Sequence, residues 1–265
     1  IVIADPAISG STVMAFEMIL QSASDWQSGW KKLFSIISNS QKIALCSDDA
    51  ANAPLFDQSA AAICIDFFGI SRAALEPDKL VYVSPREQTA FTADPIGILA
   101  NAPHSEIAEE FVNFVLSSEG QNVWGLHKSS LDALCVNSLF RNPIRKDFYS
   151  KHQSDLPSGA LNPYQQGTEM TIDPQLRSIR YTVLVQLVKA AAVENFDKMH
   201  VAKMKLIDSG MDTTMLEEFN RLPKNIDTVE KIAVINQQLQ DPEQKQKIVN
   251  NWKTFFEEKY DHICQ

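Results

Sequence analysis

The sequence predicts an α/β front followed by an all-α tail, and three observations predict it. An apolar strand, residues 1–4, runs through the small-residue turn 6–12 into a helical pattern carrying Val13, Phe16, Met18, Ile19 and Leu20. Strand-like and helix-like segments then alternate as far as residue 125, the pattern of a layered α/β domain. From Asp173 onward the periodicity is helical throughout.

The elements follow in order. The first helix is expected near 11–24, and a second amphipathic stretch covers Trp26, Trp30, Leu33, Phe34, Ile36 and Ile37. Residues 42–46 form a short strand candidate, followed by Ser47, Asp48 and Asp49 as a helix cap. Residues 60–68 read as a buried strand, 80–83 as another ended by Pro85, and 91–99 as a strand broken at Pro95. Ser105 is expected to cap a helix whose apolar face carries Ile107, Ala108, Phe111, Val112, Phe114, Val115 and Leu116. A short helix follows from Ser118 through Trp124.

The texture changes after residue 128. Residues 129–173, rich in Asn, Pro, Ser and Gly, read as an irregular crossing segment. Asp173 and Pro174 then open a helix with Leu176, Ile179, Val183, Leu184, Leu187, Val188 and Ala191 in one stripe. Further helices are expected near 195–208, 213–220, 227–239 and 242–260. The expected organisation is an α/β lobe over 1–128, the crossing over 129–173 and a helical portion over 174–265.

Composition narrows the function. A chain of 265 residues forms one large domain or two ordinary ones. Its formal charge of −9 argues against nucleic acid or an anionic membrane as the main partner. A locally positive pocket for a small anion stays open. No apolar run approaches the roughly 18 residues that cross a membrane. Ile1 opens directly in a strand-like run without a signal segment, so the chain is expected to be N-terminally incomplete. Cys46, Cys64, Cys135 and Cys264 are scattered and show no zinc-like spacing with the histidines. They are either a disulfide or buried free thiols. No metal site, cofactor or nucleophile–base motif is expected, and hence no catalytic residue.

The candidate site is the turn itself. A helix start leaves backbone N–H groups unpaired and carries roughly half a positive charge. Gly10 allows close backbone approach, and Ser9, Ser11 and Thr12 add hydroxyls. The alternative is an ordinary capped turn.

Three segments together resemble the bacterial extracellular solute-binding proteins, the two-lobed receptors of ABC importers that include a ferric-ion-binding branch. They are Ile3-Ala4-Asp5-Pro6-Ala7-x-Ser9-Gly10-Ser11, residues 61–68, and Pro95 to His104 continued by Ala108 through Gly120-Gln121. The resemblance covers about residues 1–145. It implies a type II periplasmic-binding-protein-like lobe with an extended all-α C-terminal portion. It also implies capture of a small anionic solute or metal–anion complex in a cleft, with an ABC importer permease as partner and hinge closure. The location implied is periplasmic or lipid-anchored outside the cytoplasm, and the receptor is expected to be a monomer. The matching family positions assign ligand binding to Ser9, Gly10, Ser11 and Thr12, with Asp66 either lining the cleft or capping a strand end.

Two departures qualify the resemblance. Phe67 and Phe68 stand where ferric-binding members place a tyrosine pair, and phenylalanine has no oxygen to coordinate iron. The tail is also longer than the family's. A non-transport helical interaction protein with a degenerate lobe is the alternative, and an enzyme on the same scaffold is a further one. Arg141, Arg145 and Lys146 form a basic cluster, either a solvated loop or an anion attractor. Asp48 and Asp49 are a cap pair or a contact for a cation; His104 reads as a loop histidine, and Glu119 and Gln121 as part of a helix start. Trp26 and Trp30 read as packing, as do Trp252, Phe255 and Phe256 unless these dock another helix.

Overall fold

The computed structural model describes residues 1–56, 58–127, 129, 137–165 and 169–265. Its contacts divide the chain into two compact units, Ile1–Cys64 with Ile172–Gln265, and Ile65–Thr171. In chain order the first unit begins with β1 (Val2–Ala4), α1 (Gly10–Gln21), α2 (Trp26–Ser38), β2 (Lys42–Ala44) and α3 (Ser47–Asn52). The second holds α4 (Asp66–Leu75), α5 (Ser105–Leu116), α6 (Ser118–Gly125) and α7 (Lys146–Lys151). The first unit resumes with α8 (Pro174–Val188), α9 (Phe196–Asp208), α10 (Thr213–Asn220), α11 (Val229–Gln238) and α12 (Pro242–Cys264).

β1 and β2 pair in parallel, Val2 with Lys42, Ile3 with Ile43 and Ala4 with Ala44. A single parallel bridge joins Val2 to Ala62. Successive strand side chains point to opposite faces. Ile3 therefore enters the large core with Phe16, Trp30 and Val183, while Val2 and Ala4 pack with Ala44, Ala50 and Ala53. Both faces of β1 are covered, which is why the strand reads as an unbroken apolar run.

The helical part of the first unit closes around aromatic rings. Trp30 stacks on Phe34, and Phe34 meets Phe219 and Tyr260. Lys259 lies buried among them, its Nζ donating to the carbonyls of Phe219 (2.8 Å) and Arg221 (3.2 Å). Nζ is 4.5 Å from the Phe256 ring and 5.1 Å from the Phe34 ring. The α8 register ends in a π-helical turn, Lys189–Val193. There Tyr260 donates its hydroxyl to Ala191 O and Asn195 its amide to Ala190 O.

In the second unit the Ser117–Gln121 segment is structural. Ser117 Oγ accepts from Gly120 N–H and caps α6. A Cβ on Gly120 would lie 2.1 Å from Phe114 O, so only glycine lets α6 fold back on α5. Buried Gln121 donates to Val115 O and accepts from Ile144 N–H. No residue of α5 is buried, and Ile107, Phe111 and Phe114 are exposed.

Several expected elements change. Asp66, Phe67 and Phe68 open α4 rather than end a strand, because the Asp66 carboxylate accepts from Phe67 N–H at the helix start. Residues 80–83 and 91–99 are not strands: no strand among the described residues pairs with them, and Val81 and Val83 are exposed. The α5 cap is His104 rather than Ser105, and α3 begins after Cys46, which places Ser47, Asp48 and Asp49 in its first turn. Cys46 and Cys264 are free thiols, Cys64 forms no disulfide with either, and Cys135 lies outside the described residues.

Burial drives the Lys259 amine well below the usual lysine range, with Glu218 opposing the shift and Arg221 reinforcing it. Between that lowered value and about 10.4, the unfolded chain holds a proton that the fold lacks. Unfolding free energy should therefore rise with pH, by up to about 1.4 kcal/mol per unit. Urea unfolding of the wild-type protein is expected to show this rise and Lys259→Met to abolish it. Equal slopes would mean that Lys259 keeps its proton in the fold.

Candidate ligand-binding site

The turn from β1 into α1 is fixed before any ligand arrives. Asp5 donates its N–H to Ala44 O, and its carboxylate accepts from Ala7 N–H at 2.8 Å. The Asp5 carbonyl accepts from Ile8 and Ser9 N–H, so the backbone is anchored on β2 and then wound tightly. Ser9 is the N-cap, in extended conformation and buried. Its Oγ accepts from Thr12 N–H (3.3 Å) and from the Thr12 hydroxyl (2.9 Å). Ser11 Oγ lies 3.0 Å from Ser9 Oγ.

Those bonds divide the labour among the expected residues. Ser9 and Thr12 are occupied with each other and hold the helix start. Gly10 and Ser11 remain, and their backbone N–H groups meet no acceptor among the described residues. Gly10 is exposed, and a Cβ built on it would come near only Tyr181 Oη, at 4.0 Å. The arrangement thus offers two adjacent N–H donors and one hydroxyl, with an open approach, at the positive end of a twelve-residue helix.

The other end of α1 is pinned. Glu17 and Arg180 form a buried ion pair of 3.2 Å between α1 and α8. Burial pushes the Glu17 carboxyl up, against the lowering effect of its bonds to Gln21 and Arg180. Gln21 exchanges hydrogen bonds with the backbone of Asp173, which itself caps α8.

Asp66 belongs to the second unit, whereas Ser9, Gly10, Ser11 and Thr12 belong to the first. Its carboxylate accepts from Phe67 N–H and from Asn142 Nδ2, both at 2.8 Å. Burial raises its pKa, opposed by the Phe67 N–H and by Arg141. Asp66 therefore holds residue 142 in place, a role distinct from a strand-end cap. Two surface cavities are lined by other residues. One, of about 390 Å³, lies beside Lys42, Asp49 and Phe56, and the other, of about 330 Å³, beside Gln121, Arg145 and His152.

Residues 1–127 match the family described as bacterial extracellular solute-binding proteins. Over this segment, a little under half of the chain, the sequence is similar to that family. The match begins with β1 and covers the α1 turn, α4, α5 and α6, so both the candidate donors and the Ser117–Gln121 fold-back lie inside it. It supports a solute-binding role in transport without the ferric-ion subtype, and the family is in general not enzymatic. A mainly helical fold with few strands is compatible with it. No curated protein and no solved structure matches the chain. No helix among the described residues is long and apolar enough to cross a membrane.

Glu17 and Arg180 hold α1, and Tyr181 lies near Gly10; none of the three is marked as such by a sequence motif. Glu17 carried a signal, a carboxylate directly beside Phe16 on the face of α1 that must be buried; Tyr181 and Arg180 carried none, being far along the chain. Removing the cap by Ser9→Ala should cost about 1 kcal/mol in urea unfolding. Glu17→Leu should cost about 3–5 kcal/mol, because Arg180 is left charged and buried. Unchanged midpoints in both variants would show that α1 is held by other contacts.

Proposed function

We propose that this protein is the solute-binding component of an ABC importer, working outside the cytoplasm as a two-lobed type II receptor. Its solute is a small anion or a metal–anion complex. One observation carries the reading: at an open helix start Gly10 and Ser11 present a hydroxyl and two N–H groups that meet no acceptor among the described residues, inside the segment that matches the family. Anions are favoured there by the helix dipole and by the donors together. Closure around the bound anion would exclude water and strengthen each bond. Phe67 and Phe68, which pack against each other at 4.5 Å, favour an anion held by N–H and O–H donors over iron held by tyrosinate.

A second reading, a helical protein-interaction module with a retired site, is favoured by the exposed stripe of Val201, Met204 and Ile207 on α9. One titration separates the two. Calorimetry with sulfate, phosphate, carbonate, citrate and ferric citrate should find a saturable anion. Ser11→Ala should weaken it about tenfold or more, the loss expected for a hydrogen bond to a charged group of about 1.5–3 kcal/mol. Saturable binding that Ser11→Ala leaves unchanged would sink the assignment of the turn, and no uptake at all would favour the interaction module.

A further inference from the structure

In the second unit the Arg141 guanidinium is held in a fixed setting. Residues 140–145 are stapled along their length: Arg141 N–H donates to Trp124 O (3.0 Å), Asn142 Nδ2 to Asp66 (2.8 Å) and Ile144 N–H to Gln121 Oε1 (2.6 Å). Tyr149 Oη donates to Pro143 O at 2.8 Å. This strap holds the Arg141 guanidinium 3.8 Å over the Phe67 ring and 5.6 Å from the Trp124 ring. A planar guanidinium stacked on rings has lost much of its freedom before binding anything.

Its hydrogen bonding is incomplete. Nη1 donates to Asp94 Oδ2 at 3.0 Å, and the Asp94 side chain is 86% exposed. Nε and Nη2 meet no acceptor among the described residues. Arg145, four residues on, makes the contrast: its Nε and Nη2 both bind the Asp147 carboxylate, at 2.9 and 3.2 Å. Together with Lys151 it holds the Asp147 carboxyl down at about 2, as expected of a closed ion cluster. An exposed single-point pair such as Arg141–Asp94 is weak, so an incoming anion displaces Asp94 at little cost.

We propose that Arg141 is an anion-recognition residue of the second unit, taking an oxyanion on its Nε–Nη2 edge with Phe67 as its platform and Asp94 as a displaceable gate. The ligand class is a carboxylate or phosphate group, whose paired oxygens match two parallel N–H donors. Asp94 repels the same ligand and so weakens its binding. The phenylalanine at position 67 acquires a role here: it supports a cation that binds the anion and coordinates nothing itself.

The test uses the full chain labelled with nitrogen-15 and inorganic phosphate as the probe, titrated against chloride at constant ionic strength. The Arg141 Nε–Hε resonance, assigned by its loss in Arg141→Lys, is expected to shift along a saturation curve. Asp94→Asn, an exposed and benign change, should tighten that curve at least about threefold. Ser11→Ala, on the other unit, should leave it unchanged, which separates this site from the α1 turn. A response that does not saturate, that equals the response of Arg145 Nε–Hε, or that Asp94→Asn fails to tighten would overturn the proposal.

Discussion

The placement of α1 depends on the buried pair between Glu17 and Arg180. Withdrawing both charges from water is costly, and Glu17 Oε2 and Arg180 Nε are left without partners among the described residues. The pair is held all the same, because it belongs to a connected set. Glu17 accepts from Gln21, Gln21 exchanges bonds with Asp173, and Asp173 caps the helix that carries Arg180. Arg180 also lies 5.3 Å from the Trp26 ring, whose Nε1 donates to Ile226 O. One polar circuit thus ties α1, α2, α8 and the turn before α11 into a single body. Breaking it at either charge would free the helix whose first turn is the candidate site.

That rigidity is what the chemistry of capture requires. Two backbone donors cannot adjust to a ligand unless the helix moves, so their usefulness depends on being aimed beforehand. Asp5 aims them from the strand side and the Ser9–Thr12 cap closes the geometry from within. Gly10 keeps the approach free of side chains. In the second unit the same principle appears with a side chain, where the strap and Phe67 fix a guanidinium. In both places the donors are fixed by the fold around them.

The sequence was most legible where periodicity and capping agree. α2, α8, α9, α10 and α12 fall where their stripes put them, and Asp173 caps α8 with Pro174 in the first turn. Residues 80–83 and 91–99 have strand composition, yet a strand needs a partner and none pairs with them among the described residues. At residues 66–68 an apolar run of ambiguous period was read as strand, while Asp66 satisfies a helix start instead. Within the turn, composition picked out four residues but not their roles. Only geometry shows that Ser9 and Thr12 hold the turn and that the Gly10 and Ser11 N–H groups meet no acceptor among the described residues. Arg180 reaches Glu17 of α1, and Tyr181 comes near Gly10, across a long stretch of chain that local pattern does not encode.

The most direct test of anion capture at the α1 turn is native mass spectrometry of the purified protein, with its intact mass measured under denaturing conditions. The account predicts a single anionic adduct of defined mass on the folded protein, absent from the denatured one and exchanged when another small anion is supplied in excess. A folded protein that appears only at its bare mass, before and after incubation with sulfate, phosphate and citrate, would contradict it.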